Sequence, residues 1–416
     1  MKIALVSEHA NPLAVTDGAP AGGQHVLVGG LAAALAHRGD EVTVYTRRDS
    51  RDRPERVAVA PGYTVVNVAA GPAKSLSDTD VFGHTGAFAE CLDAQWSTDR
   101  PDVAHAFCWM SGLATQLAAR AYGVPTVQTF GTLVTVEHQH GEQSSNVDAR
   151  LKLEKLVAKH ATWVAATCTD DAFELIRLGR ARSSISVVPC GVDTDTFSVD
   201  GSAIERGAHQ RIIAVGKMLP RNGFDTVIQA LPNIPDAEYV IVGGPERKRL
   251  ARDPEVRRLR ALAAELGVAD RVVFMGAVPH RDMPAVLRSA DVVTCTPSHD
   301  SLGLVSLEAM ACGVPVVGSA VGGMLDTVVN DVTGQVVPTG RPRECAEVLT
   351  TILRDSFLRR SLGLAGRDRA CARFSWDRAA VDASRTYEHL TADLTHQMAR
   401  SGWGSSRETR ICDRHV

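Results

Sequence analysis

The chain has 416 residues, of which 44% are hydrophobic and 22% charged, and its formal net charge is −3. The length predicts two globular domains of roughly 150–200 residues each. The slight negative charge argues against nucleic acid or an anionic membrane surface as the main partner, because both favour a strongly basic protein. The sequence shows neither an apolar run long enough to span a membrane nor a secretory signal pattern. Nine cysteines without a Cys-x2-Cys pair predict reduced thiols and a cytoplasmic location.

The first half alternates short apolar runs with helical patterns. Strands are predicted at 2–7, 41–46, 103–106, 125–130 and 162–167, and helices at 23–38, 110–122 and 150–160. Nearly continuous apolar strands between helices indicate a parallel sheet that is covered on both faces.

The same pattern restarts in the second half. Strands are predicted at 211–215, 238–242, 271–275, 291–294 and 314–318, and helices at 224–231, 255–266, 304–312 and 375–390. The predicted fold class is therefore α/β, with two Rossmann-like domains at 1–195 and 209–375. A last helix at 376–395 and a loose polar tail at 396–416 complete the prediction.

Two loops fit anion binding, because ligands of parallel sheets bind where strands end and helices begin. The first contains Gly22 and Gly23, although paired glycines also suit a simple turn. It lacks the third glycine of the dinucleotide-binding Gly-x-Gly-x2-Gly pattern.

The second loop runs from 300 to 317 and joins a polar turn, a helix start and a strand. Main-chain N–H groups of Gly303, Leu304 and Val305 are expected to face a diphosphate. Asp300 and Glu308 then supply carboxylates for sugar and ribose hydroxyls. The alternative, that Glu308 is a solvated helix residue, is disfavoured by its apolar neighbours.

The segment 300–308 resembles the Glu-x7-Glu pattern of the retaining glycosyltransferases of family 4. Further segments match the family in the same order, and together they cover residues 1–395: 21–26, 216–223, 242–245, 273–276, 319–323 and 374–376. The resemblance implies the GT-B fold, in which two Rossmann-like domains flank a cleft and the C-terminal helix crosses back. It also implies a nucleotide-sugar donor on the second domain and an acceptor on the first. The chain also resembles actinobacterial enzymes that add N-acetylglucosamine to inositol phosphate.

The resemblance assigns site residues one by one. It implies that Asp300, Lys217 and His105 are catalytic, although His105 could equally be a strand cap. The donor-binding residues implied are Gly22, Gly23, Lys217, Arg221, Asn222, Gly276, Val278, Gly303, Leu304, Val305 and Glu308. The acceptor-binding residues implied are Gln24, Trp109, Gly131 and Thr132. No cofactor and no metal are expected, because enzymes of this type bind the diphosphate with helix dipoles and basic side chains. The two Asp-x-Asp matches, at 78–80 and 193–195, are interpreted as turns.

Several positions depart from the family. Lys217 and Asn222 stand where relatives have Arg and Lys, and Asp300 stands for the first Glu. Gly131 replaces a histidine that contacts the donor sugar near its 6-hydroxyl, which predicts either a pocket opened for an altered sugar or a turn that needs glycine. The stretch 134–143 has two glutamates and no Lys or Arg, so a neutral or cationic acceptor is favoured over a phosphorylated one.

These observations predict a glycosyltransferase that joins a nucleotide sugar to a small polar acceptor, as a monomer or homodimer. The departures suggest a natural-product or small-thiol pathway with an unusual donor sugar. Three alternatives stay open: a non-catalytic sugar-nucleotide-binding homologue, an inositol-phosphate N-acetylglucosaminyltransferase, and a dinucleotide-dependent oxidoreductase.

Overall fold

The computed structural model describes residues 1–16, 22–60, 62–139 and 147–402. Ala21, residues 140–143 of the acidic stretch and the tail beyond 402 lie outside the described residues. The strands are β1 Lys2–Val6, β2 Glu41–Arg47, β3 Arg56–Val59, β4 Tyr63–Val68, β5 Val103–Phe107, β6 Thr126–Thr129, β7 Trp163–Ala166, β8 Ile185–Val187, β9 Gln210–Val215, β10 Ala237–Val242, β11 Val272–Gly276, β12 Val292–Cys295, β13 Val316–Ser319 and β14 Gly334–Val337.

Helices connect these strands. They are α1 Leu13–Thr16, α2 Gly23–His37, α3 Asp78–Phe82, α4 Thr85–Trp96, α5 Trp109–Ala119, α6 Val134–Gln139, α7 Val147–His160, α8 Thr169–Arg177, α9 Phe224–Ala230, α10 Pro254–Glu265, α11 Met283–Arg288, α12 Leu304–Ala311, α13 Gly323–Thr327, α14 Pro342–Arg354, α15 Ser356–Arg373 and α16 Trp376–Gly402. Within the described ranges, no helix combines the length and apolarity that crossing a bilayer requires.

Two sheets form the body of the molecule. The first has the order β3-β4-β2-β1-β5-β6-β7-β8, and the second has the order β11-β10-β9-β12-β13-β14. All neighbouring strands are parallel except β3, which pairs antiparallel with β4. In each sheet the chain order reverses at one place, between β1 and β5 and between β9 and β12. Crevices for ligands open at the carboxyl ends of strands at such switch points.

The central strands are buried on both faces, as their apolar runs predict. In β9, Ile212 and Ala214 pack into one core while Ile213 packs into the core on the opposite face. This two-sided burial leaves no polar face on the sheet and requires helices on both sides. Each predicted strand and helix has a counterpart, and apart from the last helix its ends shift by a few residues at most.

The last helix returns to the first half of the molecule. The Val192 N–H donates to the Phe374 carbonyl at 2.7 Å just before α16 begins. Trp376 then lies between Gly30 and Gly191, where a Cβ atom would come within 2.2 and 2.5 Å of the indole. Only glycine permits this approach. The helix continues to Gly402, so the prediction of a loose tail from residue 396 is wrong for 396–402.

Candidate active site

A cavity of about 710 Å³ opens between the two sheets. It collects thirteen of the predicted site residues from both halves of the chain: Gly22, Gly23, Gln24, Gly131, Thr132, Lys217, Arg221, Asn222, Val278, Asp300, Leu304, Val305 and Glu308. The cavity therefore lies at the carboxyl ends of the central strands, where the topology favours ligand binding.

The start of α2 forms one wall of this cleft. Gly22 is the residue before the helix, and its N–H donates to Nδ1 of His25 at 3.2 Å. Burial and the neighbouring charges of His9 and Lys217 lower the pKa of His25 to about 4, so the ring is neutral and can accept this bond. The Gly22 N–H is therefore already engaged, contrary to the expectation that it faces a diphosphate. A Cβ at Gly23 would lie 2.9 Å from Cδ1 of Leu302, which brings the opposite loop against this helix.

The loop 216–223 forms the facing wall after β9. Lys217 is exposed, and its Nζ lies 3.6 Å from the position of a Cβ on Gly22. Asn222 donates from Nδ2 to the Lys217 carbonyl at 2.6 Å. The amide of Asn222 thus fixes the loop that carries Lys217. The longer side chain of a lysine at position 222, as in relatives, could donate the same bond only if the loop geometry changed.

Asp300 organises the turn before α12. Its Oδ1 accepts the N–H groups of Leu302 and Gly303, each at 3.0 Å. Gly303 has a left-handed backbone with φ of +61° and does not line the cavity. The expectation that its N–H faces a ligand is therefore wrong. Leu304 and Val305 follow it in the first helical turn, where N–H groups have no acceptor within the helix.

Glu308 lies one turn further along α12 and is 3% exposed. Its Oε1 lies 2.6 Å from Nε2 of His280. Burial opposes protonation of His280, but the hydrogen bond to Glu308 and the charges of Glu308 and Asp193 raise its pKa above the usual value. The sequence does not single out His280. The only signal was its position two residues after Val278, which itself was assigned to the donor.

His105 does not lie in the cleft, so its expected catalytic position is wrong. The side chain is 1% exposed, with Nδ1 2.6 Å from the Tyr387 hydroxyl of α16 and Nε2 2.9 Å from Oγ1 of Thr129. Burial lowers its pKa to about 3. The bond to Tyr387 joins the first sheet to the returning helix, and the bond to Thr129 links β5 to β6 within the sheet.

Two other predicted residues also lie outside the cavity lining. Trp109 packs on Phe82 with ring centroids 5.1 Å apart, which places it in an aromatic contact between α3 and α5. Gly276 accepts the Gly243 N–H through its carbonyl at 2.8 Å, so it supports the cavity wall from behind.

The wall of the cavity from the first half of the chain carries an ion-pair group that the sequence did not reveal. Arg150 donates to both carboxylate oxygens of Glu137, at 2.7 and 3.1 Å, and to Glu154 at 2.8 Å. It also donates to the Thr132 carbonyl at 2.9 Å. Glu137 lines the cavity. One arginine therefore meets two carboxylates, and the group has a net negative charge.

Gly131 borders the same side with φ of +67°. A Cβ there would meet only Oε1 of Gln24, at 3.9 Å. Both interpretations of Gly131 thus have a structural basis, because the space beside it is open and its backbone favours glycine.

The predicted turn at Asp193 is present. Its carboxylate accepts the N–H groups of Asp195 and Thr196 at 3.1 Å and the Thr196 hydroxyl at 2.6 Å. No group of three potential metal ligands occurs among the residues that the structure describes.

Two parallel α/β sheets that face each other across a cleft, with a final helix crossing back, define the GT-B class of glycosyltransferases. A family model described as "Glycosyltransferase Family 4" matches residues 21–196, and one described as "Glycosyl transferases group 1" matches residues 203–369. The chain belongs to these glycosyltransferases.

Curated relatives extend over nearly the whole chain. A D-inositol 3-phosphate glycosyltransferase of Xylanimonas cellulosilytica is 37% identical over 94% of this chain and 97% of its own length. The enzyme of the same name from Mycobacteroides abscessus is 32% identical over 98% of this chain and 94% of its own.

Solved structures agree on the fold. Sucrose-phosphate synthase from Thermosynechococcus elongatus superposes with a TM-score of 0.83 at 28% identity, covering 94% of this chain and 99% of that one. The Anabaena protein HepE in complex with UDP and glucose superposes with a TM-score of 0.70 at 20% identity, covering 93% and 99%.

Proposed function

We propose that this protein is a retaining glycosyltransferase that moves a sugar from a nucleoside-diphosphate sugar to a small acceptor without a phosphate group. The second half of the chain binds the donor and the first half binds the acceptor. The reaction keeps the anomeric configuration of the donor sugar and needs no metal.

Donor binding is supported by the loops after β9 and β12. Lys217 and Arg221 place positive charge beside the cavity, and the N–H groups of Leu304 and Val305 point from a helix N-terminus. Both features favour a diphosphate. Glu308 binds the ribose, with His280 holding its carboxylate in place.

Catalysis then follows from charge stabilisation and positioning. As the bond to the anomeric carbon breaks, negative charge develops on the diphosphate, and Lys217, Arg221 and the α12 amides stabilise it. The leaving diphosphate takes the proton from the acceptor. Asp300 fixes the turn through Oδ1, and its other oxygen can accept a sugar hydroxyl.

The acceptor class rests on a single observation, the bidentate pair between Glu137 and Arg150. An arginine bound in this way has little capacity left for a phosphate, and the additional contact from Glu154 leaves the group net negative. Like charges at a binding surface repel. A neutral or cationic acceptor therefore suits this side of the cleft better than D-inositol 3-phosphate, on which relatives are named.

The open space beside Gly131 supports a donor sugar that is altered or extended at C6. A side chain at this position would project toward the cavity, whereas glycine leaves the volume to the ligand.

The function is tested by incubating the purified protein with an array of nucleotide sugars and a bacterial metabolite extract, with and without EDTA. Mass spectrometry should find a product heavier by one glycosyl unit in both conditions, and NMR should show the donor's anomeric configuration in it. The Lys217→Ala variant should give little product, whereas Lys248→Ala, an exposed lysine away from the cleft, should behave as wild type. Donor binding without any transfer product would contradict the proposal and favour a non-catalytic homologue.

A further inference from the structure

Glu8 is a buried carboxylate that the mechanism above does not use. It follows β1 at the switch point of the first sheet and is 2% exposed. Its N–H donates to Oγ of Ser111 in α5 at 3.0 Å, and its carbonyl accepts the Arg47 N–H at 3.2 Å. These bonds fix Glu8 between the ends of β1 and β2 and the start of α5, at the edge where the topology places ligands.

The carboxylate itself makes no hydrogen bond. Within the described part of the chain, neither Oε1 nor Oε2 of Glu8 has a partner. Burial of an unpaired carboxyl group is costly, and most buried polar atoms in proteins are bonded. Burial raises the pKa of Glu8 to about 8, although the charge of Arg47 works in the opposite direction.

Arg47, whose charge acts on Glu8, does not neutralise it by hydrogen bonding. The guanidinium of Arg47 donates to the carbonyls of Arg48, Pro72 and Lys74, which are backbone atoms of the neighbouring loops. Arg47 is therefore used to hold these loops together, and the carboxylate of Glu8 keeps both oxygens for another donor.

Glu8 is adjacent in the chain to a residue that contacts the cleft wall. The next residue, His9, lies with Nε2 3.2 Å from Oε1 of Gln24, and Gln24 lines the cavity. The Nε2 atom of Gln24 is also buried without a partner among the described residues. The cavity wall at Gln24 thus has an unpaired hydrogen-bond donor, and Gln24 contacts the residue next to the unpaired carboxyl group of Glu8.

We propose that Glu8 is a specificity-determining residue for the acceptor, and that its carboxylate binds a cationic nitrogen group such as an ammonium. This inference rests on the acceptor side of the proposed function, and it narrows the acceptor from neutral or cationic to cationic. The net negative group at Glu137, Arg150 and Glu154 favours the same charge from a different part of the acceptor side.

The proposal predicts that a bound cation stabilises the ionised form of Glu8. Carboxyl ¹³C resonances are followed by NMR during pH titration of full-length protein labelled at glutamate Cδ. The Glu8 signal is the one missing from Glu8→Gln, and Glu8→Asp assigns it independently if the glutamine variant does not fold. The exposed Glu41, assigned through Glu41→Gln, is the internal control.

The probes are propylammonium chloride and its neutral counterpart 1-propanol. Saturating propylammonium should lower the apparent pKa of Glu8 by about one unit, which corresponds to tenfold preference for the carboxylate, while Glu41 and the 1-propanol series stay unchanged. A Glu8 resonance that responds only to 1-propanol would overturn the proposal in favour of a protonated Glu8 that binds a hydroxyl. No response to either probe would overturn it in favour of a purely structural carboxyl. Because this experiment measures binding alone, its failure leaves glycosyl transfer standing, and an absence of transfer leaves the Glu8 result standing.

Discussion

The two halves of the molecule share one architecture but build their sides of the cleft differently. The second half presents loops whose shape is fixed by main-chain contacts, such as the bonds from Leu302 and Gly303 to Asp300. The first half presents charged side chains that are held and partly neutralised by ion pairs with other side chains, as in the pair between Arg150 and Glu137. A backbone-built anion site tolerates few changes, whereas side-chain pairs can be exchanged to suit a new ligand. The wall from the second half therefore depends on backbone geometry, and the wall from the first half on the pairing of charged side chains.

The largest expected effect is at Lys217. Replacement by alanine removes the charge nearest the start of α2, and kcat/KM for transfer should fall by about 100-fold or more, the usual size for losing one group that stabilises a developing anion. Steady-state kinetics against Lys248→Ala provides the comparison. A loss of less than threefold would show that the donor side does not depend on this charge.

Glu308→Gln should weaken nucleotide-sugar binding by about 1–3 kcal/mol, since a hydrogen bond to a charged group is lost. Calorimetry measures the affinity, and Glu347→Gln on the exposed face of α14 is the matched control. The melting temperature must be recorded as well, because Glu308 also holds His280. Unchanged affinity in a folded variant would refute the role of Glu308 at the ribose.

The raised pKa of Glu8 favours the folded first half as the pH falls from about 8 to 4.5, whereas His105, which is held neutral, should lower the stability in acid. The pKa of His105 is about 3 when folded and rises to its ordinary value near 6.5 when unfolded. Between these values the unfolded chain binds more protons, so the free energy of unfolding falls as the pH is lowered, by up to roughly 1.4 kcal/mol per pH unit for this one group.

His25 adds a similar contribution between pH 6.5 and about 4. Denaturant melts from pH 3 to 7 measure the slope of the free energy of unfolding against pH. In His105→Gln this slope should be smaller by the contribution of about one bound proton, roughly 1.4 kcal/mol per pH unit. An identical slope in the variant would mean that His105 is not the group responsible.

The smallest expected effect is at Gly131. Gly131→His should lower stability by about 1 kcal/mol because of the left-handed backbone. Gly131→Asn should cost less, since asparagine tolerates this conformation better. If the pocket interpretation is correct, histidine will impair turnover with the native donor more than binding of the bare nucleoside diphosphate. Equal losses of turnover for all donors, in proportion to the drop in melting temperature, would support only the interpretation of Gly131 as a turn that needs glycine.

The sequence predicts the framework of the fold well because the central strands are apolar on both faces. The sequence does not predict the edge strands β3, β8 and β14, which are short and lack a continuous apolar run. It also does not predict β4, where Asn67 interrupts the apolar run. The loops 216–223 and 300–308, which contribute to the cavity lining, stand out in the sequence through local patterns of glycine and carboxylate. His105 was misplaced because its partner Tyr387 is 282 residues away, and the sequence does not show which face of β5 it occupies.

The acceptor side was less predictable for the same reason. Its properties depend on pairs formed between elements, such as Arg150 of α7 with Glu137 of α6, and on the absence of a pair at Glu8 among the described residues. The charges along 134–143 predict an acidic segment without basic residues, but they do not reveal that Glu137 pairs with an arginine from the following helix.

The most direct test of the central claim separates phosphorylated from other acceptors. A metabolite extract is treated with alkaline phosphatase, the phosphatase is removed by filtration, and the nucleotide-sugar array and the protein are then added. The account predicts the same glycosylated product, in undiminished yield, from treated and untreated extract, and no product from D-inositol 3-phosphate alone. Loss of the product after phosphatase treatment, or efficient transfer to D-inositol 3-phosphate, would contradict it.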